Sequence, residues 1–251
     1  MRLVLGVQGA REAIIAHGKE LQRVLVEERR DEAPQLDAVA RFAHDRGIKV
    51  ERVPRSTLDR LAQGERHQGV IVQAPPLRIL PLAELYSKEH LDHPGLFVAL
   101  DELTDPHNFG AIVRSAVALG ADGVLWPEDK SAPLSPAMAR ASAGAVEHAR
   151  LCRVSSLPNA LTELANEAMH VVGLDASATQ YLDALDLTLP TCLVVGSEGK
   201  GLRRATRKSC TAVARLPMHG PVASLNASVA AAIALYEVVR QRARSVSGGE
   251  E

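Results

Sequence analysis

At 251 residues, 46% of them hydrophobic and 24% charged, the chain is long enough for one large or two modest domains and too apolar to be disordered. A net charge of −1 excludes a polycation that grips nucleic acid through a global field, and an aromatic content of 3% excludes a base-stacking platform. The opening MRLVLGVQGAREAI carries charge too early for a secretory signal, no apolar run reaches membrane length, and Cys152, Cys192 and Cys210 show no CxxC spacing. These features predict a reduced, cytoplasmic protein with no membrane segment, no metal site and no disulfide framework.

Residues 1–78 hold 14 Lys/Arg against 11 Asp/Glu, whereas the remainder holds 15 against 19, so any RNA contact must use local patches. In chain order, 11–17 reads as a helix and QRVLVE (22–27) as a strand. A second amphipathic helix spans 35–46 and ends at Gly47. Short β-rich runs follow at 49–53 and 69–74, which makes residues 1–74 a small α/β domain. Pro75-Pro76 breaks the pattern and a charged linker runs over 75–94. A second α/β domain spans 95–243, with strands at LFVALDEL, GVLW (123–126), VVGLDA (171–176) and TCLVVG (191–196), and helices near 111–119 and 135–147. Its continuous apolar strands suit the centre of a parallel sheet. The last helix is expected from Ser224 to about Arg240 and is apolar on nearly every side, which predicts burial on two faces, one of them against another subunit. A flexible tail, 244–251, closes the chain.

Three stretches following strands carry the candidate chemistry, because open α/β sheets place ligands there. In TDPHNFGAIVRSA, Asn108 is either a helix cap or a site residue, and Arg114 either a solvated helix residue or a functional cation. In LVVGSEGKGLRR, three glycines within 196–201 permit positive φ and close backbone approach to a ligand. Glu198 among them would repel a phosphate, and the spacing is neither GxGxxG nor a P-loop, which also speaks against a nicotinamide dehydrogenase. Arg203, Arg204, Arg207 and Lys208 form either an RNA-neutralising cluster or a solvated helix face. In LPMHGPVASLNASVAAAIALYE, Ser224 suits a cap and Asn226 a first turn.

Taken together and in this order, the three stretches resemble the motifs of the SpoU (TrmH-like) 2′-O-ribose methyltransferases of the SPOUT superfamily, over residues 95–243. The first 74 residues, with GVQGAREAI and RHQGVIVQA, are similar to that family's substrate-binding domain, whose fold is L30e-like. The resemblance implies a knotted parallel-sheet domain with a deep trefoil knot, against the general rule that chains do not knot. It implies a homodimer with the active site at the subunit interface, S-adenosyl-L-methionine (SAM) as cofactor, and methylation of a ribose 2′-hydroxyl on a guanosine of 23S rRNA. On that resemblance Gly196, Leu216 and Leu225 hold the cofactor, with Gly173 and Met218 as neighbours. Arg114 matches the catalytic arginine; a guanidinium stays protonated, so a phosphate- or alkoxide-binding role fits it better than that of a base. Asn108 and Ser224 orient the ribose or Arg114, Glu198 holds partner groups, and Asn226 shapes the cofactor end. A tRNA or antibiotic-resistance rRNA ribose methyltransferase is the nearest alternative. A non-catalytic RNA-binding ribosome-assembly factor is another, set against the intact set Asn108, Arg114, Glu198, Ser224 and Asn226.

Overall fold

The computed structural model describes residues 1–29, 32–87, 91–222 and 224–247. The chain begins with strand β1 (Arg2–Leu5), helix α1 (Val7–His17), β2 (Arg23–Glu27), α2 (Pro34–His44), β3 (Val50–Val53), α3 (Arg55–Ala62) and β4 (Val70–Ala74). The strands form one sheet in the order β1-β4-β2-β3, with β4 antiparallel to both β1 and β2, and β2 parallel to β3. Strand alternation divides the core in two. Val24 and Val26 join Ile14 of α1 and Val39 of α2 on one face, while Leu25 and Ile71 meet Leu58 of α3 on the other. Neither β1 nor α3 was expected from the sequence.

The second domain continues with β5 (Ile79–Leu80), α4 (Leu82–Leu85), β6 (Leu96–Asp101), α5 (Pro106–Ala118), β7 (Gly123–Pro127), α6 (Pro136–Ala141), β8 (Leu151–Val154) and α7 (Leu157–Asn166). It ends with β9 (His170–Leu174), β10 (Gln180–Tyr181), β11 (Thr191–Gly196), α8 (Arg204–Lys208), β12 (Ala212–Arg215) and α9 (Ala227–Ser247). Eight strands pair in the order β10-β12-β9-β11-β6-β7-β8-β5, every pair parallel. All six residues of β6 are buried, as both faces of a parallel sheet are covered. Helices α5 and α9 cover one face, where Phe109, Ile112, Ala231 and Leu235 pack on Val98 and Val195. Leu85 and the α7 residues Leu157, Leu161 and Leu164 cover the other.

Part of the expected linker is therefore structural: β5 is the edge strand beside β8, and Leu85 is fully buried. The expected helix near 135–147 is α6 followed by a separate 3-10 turn, Ala145–Glu147. At the other end α9 continues past Arg240 to Ser247, so 244–247 are helical; residues 248–251 of the expected tail lie outside the described residues. That extension is pinned by Arg242, whose guanidinium donates to the carbonyls of Pro94 (2.5 Å), Gly95 (3.1 Å), Leu187 (3.3 Å) and Leu189 (3.0 Å). The two domains meet through α1 and the turn at 145–147. There Glu147, its side chain fully buried, accepts from both Arg2 guanidinium arms (2.7 and 2.6 Å) and faces His17 at 2.8 Å. A second pair, His148 with Glu12 at 2.9 Å, crosses the same seam in the opposite sense.

Candidate active site

The C-terminal ends of β9, β11 and β12 open onto a cavity of about 590 Å³, within the range of small-molecule sites. Its apolar wall comes from Leu174, Val195, Ala214, Leu216 and Leu225, and its polar rim from Asp175, Ser177, Glu198, Arg215, Ser224 and Asn226.

At the β6–β11 side of this rim three predicted residues converge. Asp105 caps α5, its carboxylate accepting from the backbone N–H groups of His107 (3.0 Å) and Asn108 (3.3 Å), with Pro106 as the first helical residue. The capping reading of Asn108 is thus excluded, and its buried side chain is free for other work. Asn108 Nδ2 donates to Glu198 Oε1 at 2.9 Å, and Asn226 Nδ2 donates both to Asn108 Oδ1 (2.9 Å) and to Glu198 Oε1 (2.5 Å). Residues 118 positions apart in sequence form one hydrogen-bonded triangle. Asn226, not Ser224, caps the last helix: its Oδ1 accepts from the N–H groups of Ser228 (2.8 Å) and Val229 (3.3 Å), so α9 starts three residues later than expected. One amide thereby starts a helix with its oxygen and fixes the triangle with its nitrogen. Ser224 and Leu225 stay on the cavity wall, as do Met218 and Leu216.

The loop carrying Glu198 is a tight turn in which Ser197 and Gly201 bridge, Gly201 N–H donating to the Ser197 carbonyl at 2.9 Å. Gly199 and Gly201 take φ of 76° and 64°, as the sequence suggested. Gly196 is required for another reason than ligand approach. A Cβ there would lie 2.3 Å from the Gly201 carbonyl carbon, so its bareness accommodates the chain's own return. The far end of the turn is anchored by Arg203, whose N–H and Nε donate to buried Asp101 at 2.8 and 2.7 Å, and whose Nη1 pairs with Glu102 at 2.8 Å.

Three expectations need correction. Gly173 lines no part of the cavity: a Cβ there would meet Leu202 at 2.7 Å and Cys210 Sγ at 3.0 Å, on the sheet face packed by those residues. The basic cluster at 203–208 is half neutralised, since Arg203 serves Asp101 and Glu102, and Arg207 pairs with Asp175. Arg204 and Lys208 are left exposed. Arg114 is not in the cavity either. It is exposed, with His107 and Ala118, on the side of α5 turned away from the sheet. Beside it α9 exposes Val229, Ile233 and Tyr236, 45%, 41% and 59% accessible, one apolar stripe at helical spacing. The last helix thus buries one face against its own domain and leaves a second apolar face at the surface.

Residues the sequence reading missed are Asp175, Ser177 and Arg215. Asp175 N–H donates to the Ala214 carbonyl at 3.0 Å and its carboxylate accepts from Ser177 N–H at 2.8 Å, which shapes the loop after β9. Their only available signal was position just beyond an apolar strand.

Comparisons with known proteins agree with this geometry. Residues 95–236 match the model described as the SpoU rRNA Methylase family, and 3–80 match that of the RNA 2'-O ribose methyltransferase substrate binding domain. The chain is 44% identical to a Mycolicibacterium vanbaalenii protein named "Uncharacterized tRNA/rRNA methyltransferase", over 84% of this chain and 68% of that one. Among solved structures it is similar to the SpoU methyltransferase AviRb of Streptomyces viridochromogenes, in complex with the cofactor AdoMet. The TM-score is 0.76 at 29% identity, covering 96% of this chain and 90% of that one. An AdoMet-bound rRNA methyltransferase from Sinorhizobium meliloti is similar with a TM-score of 0.72 at 26% identity, covering 95% and 86%.

Proposed function

Because the chain belongs to the SpoU rRNA methylase family, and is thereby a SAM-dependent RNA methyltransferase, we propose that it methylates a ribose 2′-hydroxyl, on a guanosine of 23S rRNA. The observation that carries this reading is the Asn108–Glu198–Asn226 triangle on the rim of the 590 Å³ cavity. The cavity suits SAM: its wall is apolar enough for an adenine and a thioether, and Glu198 makes it inhospitable to a phosphate. Gly196, Leu216, Met218 and Leu225 would hold the cofactor, chiefly through the backbone of their loops.

SAM supplies a methyl group already activated on a sulfonium, so the protein's task is to position the hydroxyl and manage its proton. Glu198 Oε1 accepts from two amides, which fixes the carboxylate at the cavity rim and leaves Oε2 without a partner among the described residues. Ser224, exposed on the same wall, orients the ribose. Arg114 binds phosphate or developing alkoxide charge, and for that it must come from a second protomer. The reading of a homodimer is supported by two exposed features on helices that pack together, Arg114 on α5 and the Val229–Ile233–Tyr236 stripe on α9. The trefoil knot belongs to the same proposal and is supported by the order of strands, in which β12 returns between β9 and β10 while α9 packs across α5 and β11.

The substrate is tested by mapping ribose methylation on rRNA and tRNA from a strain lacking the gene. Loss of one 2′-O-methylguanosine from 23S rRNA is expected. Intact rRNA with a ribose methyl missing from tRNA would replace the substrate and leave the chemistry standing.

A further inference from the structure

Two cations line the cavity, Lys200 on the 197–201 turn and Arg215 at the end of β12, and of these Arg215 is the one held in place by a neighbour. Its Nη2 donates to the Tyr181 hydroxyl at 3.0 Å, and its guanidinium carbon lies 4.4 Å from the centre of the Tyr181 ring. The pairing of β10 with β12 sets Tyr181 directly beside Arg215, so the ring and the guanidinium stand on the same side of the sheet edge. Stacking and the hydroxyl bond together leave the side chain few alternatives. Its Nη1 has no hydrogen-bond partner among the described residues, and Nε, closed off beneath it, has none either. A guanidinium held this firmly on a cavity wall, with Nη1 open, has a charged donor ready for an acceptor that enters the cavity.

The position in the sheet says which acceptor. From β6, which leads to Asn108, the sheet steps through β11 and β9 to β12, three strand spacings or about 14 Å. The methyl group must face the triangle at the near end. Of the two other arms on the sulfonium, the aminocarboxypropyl chain is short, whereas the adenosyl arm carries a ribose and a purine and can span the cavity. The acceptors it brings are ribose oxygens and the ring nitrogens of adenine.

We propose that Arg215 is a cofactor-recognition residue, donating from Nη1 to an acceptor on the adenosyl arm of SAM, with Tyr181 holding the guanidinium in place. The inference rests on the SAM-dependent reading above. It places an anchored charged donor on the wall opposite the triangle and makes that far wall a determinant of nucleoside selectivity.

Calorimetry on the full-length protein tests it, with S-adenosylhomocysteine and 5′-methylthioadenosine as probes, the second lacking the amino-acid arm. Arg215→Gln should raise Kd for both by the same factor, about tenfold or more, as expected for a charge-assisted bond. Tyr181→Phe, which keeps the ring and removes the hydroxyl, should raise both about threefold and covers the case in which Arg215→Gln does not fold. Equal affinities in wild type and both variants would overturn the proposal. So would a loss confined to S-adenosylhomocysteine, because Arg215 would then meet the amino-acid arm. A wild-type protein that binds neither probe would instead overturn the SAM-dependent reading itself.

Discussion

Replacing Asp101 by Asn tests whether the Glu198 turn is held from outside the cavity. Asp101 ends β6 with its side chain fully buried and offers both oxygens to one residue, accepting the backbone N–H and Nε of Arg203. An amide of the same shape presents a single acceptor, so one of the two Arg203 donors would face an NH₂ group. Breaking a buried ion pair costs about 3–5 kcal/mol, but Arg203 is 37% exposed and solvent screens part of that, leaving about 2 kcal/mol. For a chain of this size that lowers the melting temperature by roughly 4–8 °C. Asp101 is not on the cavity wall, so any effect on SAM must travel through Arg203 to the 197–201 turn. About tenfold weaker SAM binding by calorimetry is expected alongside the thermal shift. A fall in melting temperature with unchanged SAM affinity would refute the positioning argument, and no change in either would refute the pairing energetics as well.

Arg114→Ala should leave SAM affinity unchanged, because Arg114 lies outside the cavity, while single-turnover methylation falls about 10²-fold or more; Arg114→Lys should recover little, since a point charge does not replace a planar fork. Ile233→Asp places a carboxylate at a position 41% exposed in the protomer, so far-UV circular dichroism should stay native while light scattering shows monomers and activity disappears. An active monomer would return the stripe to ordinary surface. A fragment starting at residue 75 should bind SAM, whereas one starting at 95 should bind poorly and melt lower, because it loses β5 and the buried Leu85; equal behaviour of the two would make 75–94 a linker after all. Burial pushes the thiols up, Cys152 to about 11, Cys210 to about 12 and Cys192 higher still, so alkylation at pH 8 should be slow until the protein is denatured. Because unfolded thiols release their protons near 9, this contribution to stability is complete below that pH and lost as pH rises toward and beyond 11, which a titration of melting temperature would show.

The chemistry was more legible in the sequence than the architecture. Asn108, Glu198 and Asn226 were singled out through the resemblance of three stretches to the SpoU motifs, while the bonds that join them into a triangle were not foreseen. The sequence reading chose the wrong cap for the last helix, Ser224 in place of Asn226. Ser224 and Asn226 are equivalent by local propensity, and the choice is made by Asn108 and Glu198, far away in the chain, which recruit the Asn226 nitrogen. Strands β8 and β12 have four residues each, too few for alternation to show, and their parallel neighbours define them. Gly173 was misassigned because a strand next to a site points every second residue away from it. Helix α7 is a plain omission: Ser156 caps an amphipathic run with Pro158 in its first turn, all local signals.

The seam between the domains bears on how a large RNA is measured. Domains joined by a polar contact usually swing against each other. Here the pairs of Glu147 with Arg2 and His17, of His148 with Glu12, and of Arg140 with Glu65 tie the seam at three places. Ties at separate points oppose rotation as well as separation. An RNA held by residues 3–80, the segment that matches the substrate-binding model, would then meet the triangle at Asn108 across a span set by the protein and not by the RNA. An RNA whose gripping point and target ribose are separated by any other span would dock without presenting the hydroxyl, so span becomes a criterion of selection in its own right.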